Sequence, residues 1–560
     1  MHQNLGDLKK IKEIFKYFMK LKKYIFISAM IMILYSLITL PIPFINQLIV
    51  DKVIINREYE IMQYIIPVWI LIIVIAPILN SVKSYFISLF DMKLDMLIRY
   101  DVFKKILHLP ISYFEKNNVG YIQNRIETDI KSLHAVTAGK MIDMMNKLVL
   151  LVFGLIMLFH ISWKLTLCVL VVLPIVIING YFFSDKVKNY NKKVSEAWSE
   201  LGGSITQNML GIEIIKLFTM EKNVSENLSN LNKKCIKITG NKVKLDLTSN
   251  VIRNIFTGLE SLIIWTYGSV LIKNNMLTLG QVVAFIGYSS YVYGPALQLA
   301  NFKLNIQPVI AAWERIREIL CLEDESYKEQ EKPQIKLTSG KIEFNNVKFS
   351  YDSEKNVINN LNFVIHEQEK VIIIGHNGSG KSTLIKLLSQ LYNQYSGKIL
   401  IDNKNIKEYN IYSLRKQIAV VSQNIYLFSG SVIDNIKIAA PHLNDDEIKR
   451  FLSKNHLDEL ILKLPKGFDT IITENGSNLS GGQKQYISIL RAIIKQDSKI
   501  LIFDEATASL DTNVEYQLIK ALKPLIKNKT FIHITHKKYN DYMERFLCLQ
   551  NGSITELKEV

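Results

Sequence analysis

The sequence is short of cysteine, short of acidic charge and, across long stretches of its first half, without charge of either sign. Its four cysteines, Cys168, Cys235, Cys321 and Cys548, form no C-x-x-C pair and follow no regular spacing. That argues against a disulfide framework and a cysteine zinc site, and suits a reducing cytosolic face. Acidic residues number 51 against 68 Lys and Arg in 560 residues. The deficit is uneven: residues 1–320 hold 36 basic and 22 acidic residues, a net of +14. The remaining 240 hold 32 and 29, a net of +3. A basic chain can bind nucleic acid, but here Lys and Arg alternate with apolar runs instead of clustering on one compact domain. Basic loops flanking membrane segments explain the pattern better, and no nucleic-acid partner is expected.

Uncharged stretches run over residues 24–50, 61–82, 148–163, 165–184 and 274–302. A further apolar stretch, 251–272, is interrupted by Arg253 and Glu260. About 20 apolar residues cross a bilayer as a helix, so six transmembrane helices are predicted. Soluble helices rarely stay uncharged for so long. Seven lysines precede the first span, and the segments between spans two and three and between four and five carry many more basic residues. The other three loops hold only Lys52, Arg57, Lys164 and Lys273. Positive residues prefer the cytoplasm, which predicts a multi-pass chain with both termini inside.

No cleavable signal peptide is expected, because the first apolar run is too long and no small-residue site follows it. Instead Ile11, Ile14, Phe15, Phe18 and Met19 recur at helical spacing among lysines, predicting a membrane-surface helix over 1–23. No further domain is expected ahead of it. The two long inter-span segments are polar but periodic, so the membrane helices are expected to continue into the cytoplasm. They should turn back near 109–118 and 211–222. A charged stretch at 321–340 reads as a linker between a transmembrane domain, 24–320, and a second domain, 341–560. Glu260 stands out in span five, with Arg253 two turns earlier on nearly the same face. Intramembrane charge is costly, so Glu260 either lines a pathway for a cationic or polar substrate or makes a helix–helix hydrogen bond.

From residue 341 short β-branched runs alternate with helical stretches, predicting an α/β domain. The strand "VIIIG" leads into "GHNGSGKST" (375–383) and then a helical "TLIKLLSQL". Strand, glycine loop and helix are the context of a phosphate-binding P-loop. Its backbone N–H groups, from Gly375, His376, Asn377, Gly378, Ser379, Gly380, Lys381, Ser382 and Thr383, would surround phosphate oxygens at a helix N-terminus. Lys381 would reach the β and γ phosphates, and Ser382 would join a Mg²⁺ shell. "KILIFDE" (499–505) ends a strand in two carboxylates. Asp504 is placed to hold Mg²⁺ and Glu505 to act as general base toward an attacking water.

With "NLSGGQKQ" at 478–485 and "ASLD" at 508–511, these motifs resemble those of an ABC exporter half-transporter. The resemblance covers nearly the whole chain and implies an all-α six-helix transmembrane domain followed by an α/β ABC nucleotide-binding domain. It implies that Tyr351 stacks on adenine, and that Gln423 touches Mg²⁺ and the attacking water. It also implies that His536 contacts the γ-phosphate and that Asp511 closes the D-loop. Ser480, Gly481, Gly482 and Gln483 would bind a γ-phosphate held by a second subunit. ATP and Mg²⁺ are the implied cofactors. The implied unit is a dimer of half-transporters in a bacterial plasma membrane, most simply a homodimer. Three positions depart from the family pattern: Thr473 replaces a glycine, Tyr486 replaces an arginine, and Lys537 stands where arginine is common. Substrates of such exporters include modified peptides such as bacteriocins, which are the first expectation here, with lipids and drugs as alternatives. A membrane ATPase that regulates without transporting is the reading from a different class.

Overall fold

The computed structural model describes residue 13 and residues 15–117, 119–133, 138–300, 302–325, 332–334, 336–351, 356–535 and 543–557. Most of the predicted surface helix at 1–23, part of the linker, His536 and Lys537 lie outside the described residues. The chain divides into two compact units, residues 1–107 with 119–322 and residues 108–118 with 323–560.

The first unit is helical. Span one is Lys22–Thr39 continued by Ile42–Leu48, and span two is Met62–Leu107. Span three is Ala138–Ile161, and span four is Trp163–Leu170 followed by Val172–Leu210. Spans five and six are Glu221–Lys273 and Leu279–Ala300, the latter followed by Phe302–Cys321. Among the described residues, four stretches, Lys22–Ile55, Tyr59–Leu107, Gly139–Ile161 and Glu221–Lys273, are long and apolar enough to cross a membrane. Span four is interrupted before Pro174, which has no N–H to give the preceding turn and crowds its carbonyl. Span six is more polar, carrying Ser289, Ser290 and three tyrosines. Spans two and five are 46 and 53 residues long. At about 1.5 Å per residue each exceeds the roughly 30 Å hydrocarbon core at least twofold, so each runs on as the predicted extension.

Polar groups pin these helices together. At the start of span six, the Asp51 carboxylate accepts from Thr278 Oγ1 at 2.6 Å and from Gly280 N at 2.7 Å. A side chain at Gly280 would put its Cβ 2.5 Å from Gln47 O, so the motif "LTLG" needs its glycine for this close approach. In the segment between spans two and three, buried Asp129 accepts from Arg125 Nη1 at 2.8 Å and Arg315 Nε at 2.9 Å. Burial alone would raise this carboxyl; the two arginines outweigh it and hold it below its ordinary value. Glu260 is only 6% exposed and lies within hydrogen-bonding reach of Ser289 on span six. Arg253 is exposed and donates to Asn250, not to Glu260. Burial of Glu260 beside Ser289 fits a helix–helix contact, the second of its two sequence readings.

The second unit contains two main sheets. An antiparallel one consists of β1 (Ile342–Phe349), β2 (Ile358–Ile365), β4 (Ser396–Ile401) and β5 (Lys404–Asn405), in the order β2-β1-β4-β5. The larger sheet contains β3 (Lys370–Ile374), β6 (Ile418–Val421), β9 (Ile500–Asp504), β10 (Thr530–Ile534), β11 (Arg545–Gln550) and β12 (Ser553–Glu556). Its order is β12-β11-β3-β10-β9-β6, and all neighbours are parallel except the β11–β12 pair. A short ladder pairs β7 (Gly430–Ser431) with β8 (Ile471–Ile472). Ile342 and Phe344 of β1 share one core with Val371, Ile373 and Ile500 of the large sheet. A second core surrounds Ile487 and Leu490 of the helix Gly481–Ile493.

Two segments outside the predicted 341–560 domain pack within this unit. The helix Ile111–Lys116, at the expected turn, places Glu115 against Lys386 Nζ at 2.8 Å and against the Tyr392 hydroxyl. Within the linker region, Glu325 forms an ion pair with Arg415, and Asp402 gathers the stretch 338–341. Asp402 Oδ1 accepts from Ser339 Oγ, Gly340 N and Lys341 N, and Oδ2 from Thr338 N and Ser339 N, all within 3.1 Å. Burial would raise this carboxyl, but the Ser339 hydroxyl and the backbone N–H groups overcome it and hold it low. A linker chosen by its charge is thus docked by charge pairing.

Asp402→Asn turns an NH₂ toward these donors and is expected to cost about 1–3 kcal/mol at neutral pH. Because the folded carboxyl is held low, the penalty should be complete above about pH 4 and shrink as pH falls below it. Thermal unfolding of the purified protein across that range checks both. Glu260→Gln keeps a polar group beside Ser289 and should leave transport within about twofold, while Glu260→Ala should lower stability by about 1 kcal/mol. Loss of transport in the Gln variant, measured in sealed vesicles, would return Glu260 to the pathway.

Candidate functional site

The carboxyl ends of β3 and β9, which flank β10, carry the chemistry, as expected for the crevice of an open parallel sheet. β3 leads into the glycine loop, and the helix Lys381–Leu388 follows. Gly378 and Gly380 have φ of +80° and +102°, a conformation that favours glycine. Gly375 is needed for space: a Cβ there would lie 2.4 Å from Leu549 O. Lys381 is buried and donates to the Gly375 and His376 carbonyls at 2.7 and 3.0 Å, so its ammonium lies over the loop. Ser379 Oγ is buried without a hydrogen-bond partner among the described residues. An unpartnered hydroxyl in a loop of this shape fits a phosphate oxygen.

Ser382 Oγ donates to Asp504 Oδ2 at 3.0 Å. Burial pushes the Asp504 carboxyl above its usual range; the Ser382 bond and Lys381 oppose this, and the neighbouring Glu505 charge adds to it. A hydroxyl and a buried carboxylate in contact are hard oxygen donors, and they fit a Mg²⁺ ion completed by phosphates and water. Gln423 Nε2 donates to Glu505 Oε2 at 2.9 Å, so this amide meets the second carboxylate of the pair. Glu505 has φ +50°, and its N–H donates to Ile534 O of β10 at 2.9 Å. Tyr351 lies beside the glycine-loop helix, its hydroxyl 3.0 Å from Thr383 Oγ1 and its ring 5.3 Å from Lys386 Nζ. The geometry therefore brings together Tyr351, the glycine loop, Gln423, Asp504 and Glu505.

"NLSGGQ" forms the start of a different helix. Ser480 is the N-cap of Gly481–Ile493: its hydroxyl accepts from Gln483 N at 3.2 Å, and Gln483 Oε1 accepts from Ser480 N at 2.9 Å. This is a capping box, and the S-x-x-Q spacing was its readable signal. Gly482 lies against the Ser509 carbonyl, which would be 2.9 Å from an added Cβ. Asp511 is exposed at the N-cap of Thr512–Ile526.

A family described as ABC transporter transmembrane region matches residues 25–296, and one described as ABC transporter matches residues 358–508. The ATP-dependent lipid A-core flippase of Haemophilus influenzae is 30% identical over 492 residues, covering 86% of this chain and 83% of that one. The chain belongs to the ABC transporter family. Another relative, of Bacillus subtilis, is YgaD, whose name assigns it provisionally to multidrug export; it is 28% identical over 545 residues, 96% of this chain and 94% of its own. In fold, the chain is similar to a bacterial Atm1-family ABC exporter solved with ATP bound, with a TM-score of 0.83 at 20% identity. That match covers 96% of this chain and 95% of the solved one. This ABC transporter is a half-transporter of the exporter type, a membrane protein that binds ATP and couples its hydrolysis to transport.

Two departures from the family pattern have structural explanations. Thr473, in a glycine's place, donates from its N–H and hydroxyl to Asn478 Oδ1 at 3.0 and 2.9 Å, tying the preceding turn to the motif. Tyr486, in an arginine's place, is buried and donates to Leu457 O at 3.0 Å. One member of the quoted motif had no role assigned from the sequence: buried Gln485, which bonds the backbone at Glu505 and Ser509.

Gly375→Ala drives a methyl into the Leu549 carbonyl and should weaken nucleotide binding at least about tenfold, comparable to other close-packing losses near 1.4 kcal/mol or more. Fluorescent ATP titration of the purified transporter checks this.

Proposed function

We propose that this half-transporter works as a homodimer in a bacterial plasma membrane, with its termini and ATP domain cytoplasmic. It exports a substrate taken from the cytoplasm or inner leaflet. The observation that carries the reading is the linked set Ser382–Asp504 and Gln423–Glu505, which gathers the carboxylates of the proposed site in one chain. The partner is inferred from surfaces that one copy leaves uncovered. Ser480 and Gly481 are exposed at a helix N-terminus, where an anion is favoured. The turn at 209–218 exposes Leu210, Leu217 and Phe218, at 85%, 68% and 69%. Such a patch marks an interaction surface. A second copy, head to tail, would cover both. The basic loops support the orientation.

In the proposed mechanism Tyr351 stacks on adenine, the glycine loop and Lys381 hold the phosphates, and Glu505 takes a proton from the attacking water. Gln423 orients the Glu505 carboxylate, and His536 is read from the sequence as a contact to the γ-phosphate. Mg²⁺ held by Ser382 and Asp504, with Gln423 nearby, would offset charge on the phosphate oxygens. ATP binding draws the two ATP domains together, hydrolysis releases them, and the turns at 109–118 and 211–222 pass the motion to the spans. The domains are 24–320 and 341–560, joined by 321–340. The names of the lipid A-core flippase and multidrug relatives favour a lipid-like or drug-like substrate over the modified peptide first expected.

Proteoliposomes containing lipids, cationic drugs or peptides test the reading. One class should stimulate ATP hydrolysis and move across the bilayer with ATP. Glu505→Gln should still bind ATP but hydrolyse it about 10²–10⁴ times more slowly. Near-normal turnover in that variant would remove Glu505 from the base role, and active ATPase without movement of any class would favour a non-transporting regulator.

A further inference from the structure

Gln485 is two residues beyond the six-residue motif that opens its helix, and it is 4% exposed. Its Nε2 donates to the Glu505 carbonyl at 2.9 Å, and its Oε1 accepts from Ser509 N at 2.7 Å. A buried amide is unfavourable unless both ends are bonded, and here both ends are spent on one loop, 505–509. The same loop is fixed from the other side by the bond from Glu505 N to Ile534 O. Glu505 needs this support, since its φ of +50° is unusual for a residue with a side chain. Its carboxylate, in turn, meets Gln423. Ser480 lies five residues before Gln485 on the same helix, and Gly482 touches the Ser509 carbonyl.

We infer that Gln485 is a positioning residue that connects the motif at 480–483 to the Glu505 backbone of its own chain. Any displacement of the helix N-terminus as it engages a phosphate is carried by a rigid turn of helix to this amide. From there it reaches the peptide that aims the Glu505 carboxylate. This rests on the head-to-tail pairing proposed above, because the phosphate at Ser480 would belong to the second copy. Occupancy of one nucleotide site then sets the geometry of the general base in the other.

The test uses the full-length transporter in proteoliposomes with two variants. Gln485→Met removes both hydrogen bonds at similar volume, and Gln485→Glu keeps the acceptor for Ser509 N but loses the donor to Glu505. Both should lower kcat about ten- to a hundredfold, the scale of a misplaced catalytic group. The ATP KM should stay within about threefold and the melting temperature within a few degrees. The Hill coefficient for ATP should also fall toward one. A kcat within about twofold of wild type in both variants overturns the inference. So does a loss carried by KM, or by a drop in melting temperature in both variants, which would assign Gln485 to holding the fold. If wild type itself shows no cooperativity in ATP, the head-to-tail reading fails, while the kcat of the variants still decides whether Gln485 positions Glu505.

Discussion

The hydrogen bond from Ser382 to Asp504 joins two segments 122 positions apart, and the proposed ATP site depends on it. It is possible because β3 and β9 both pair in parallel with β10, so their carboxyl ends emerge side by side. Three adjacent strands rich in Ile, Val, Leu and Phe supply the rigidity, since they are buried on both faces. A register slip of one residue would swap the two buried faces and separate the pair. Glycine loop, carboxylates and Gln423 all hang from this frame.

Within each unit, several polar groups removed from water are paired across distant segments. Asp402 collects the linker, Asp129 is held between two arginines, and Glu260 faces Ser289. Each pairing fixes a boundary between segments distant in sequence, because breaking it would strand a charge or a dipole in a poorly solvated place. Gln485 belongs to the same class, with the difference that the loop it fixes ends in the carboxylate proposed as general base. Such contacts define geometry more than they add stability.

The departures from the family pattern show the same economy. Thr473 uses its hydroxyl and N–H to hold Asn478, where a glycine would supply only backbone. Tyr486 fills a core position and anchors its hydroxyl on Leu457. Both positions flank the capping box at Ser480 and Gln483, which stands beside these contacts.

Much of this molecule is determined by local sequence. Uncharged runs long enough for a bilayer dictate membrane helices, since an unpaired charge or backbone group in hydrocarbon is too costly. A glycine loop between a β-branched strand and a helix dictates a phosphate cradle, and "NLSGGQ" dictates a capped helix start, because each depends on neighbours within a few residues. The surroundings of Glu260 were not local; no spacing rule shows that span six brings Ser289 beside it. Likewise 109–118 looked like a turn of the membrane domain, yet Glu115 belongs beside Lys386, an ion pair no spacing rule could anticipate. Gln485 is the clearest case. Beside the motif it was one more polar residue on a helix, and only burial against the loop after β9 gives its amide two partners. Periodicity and motif spacing are short-range signals, whereas the partners of a buried polar group are set by which distant segments the fold brings into contact.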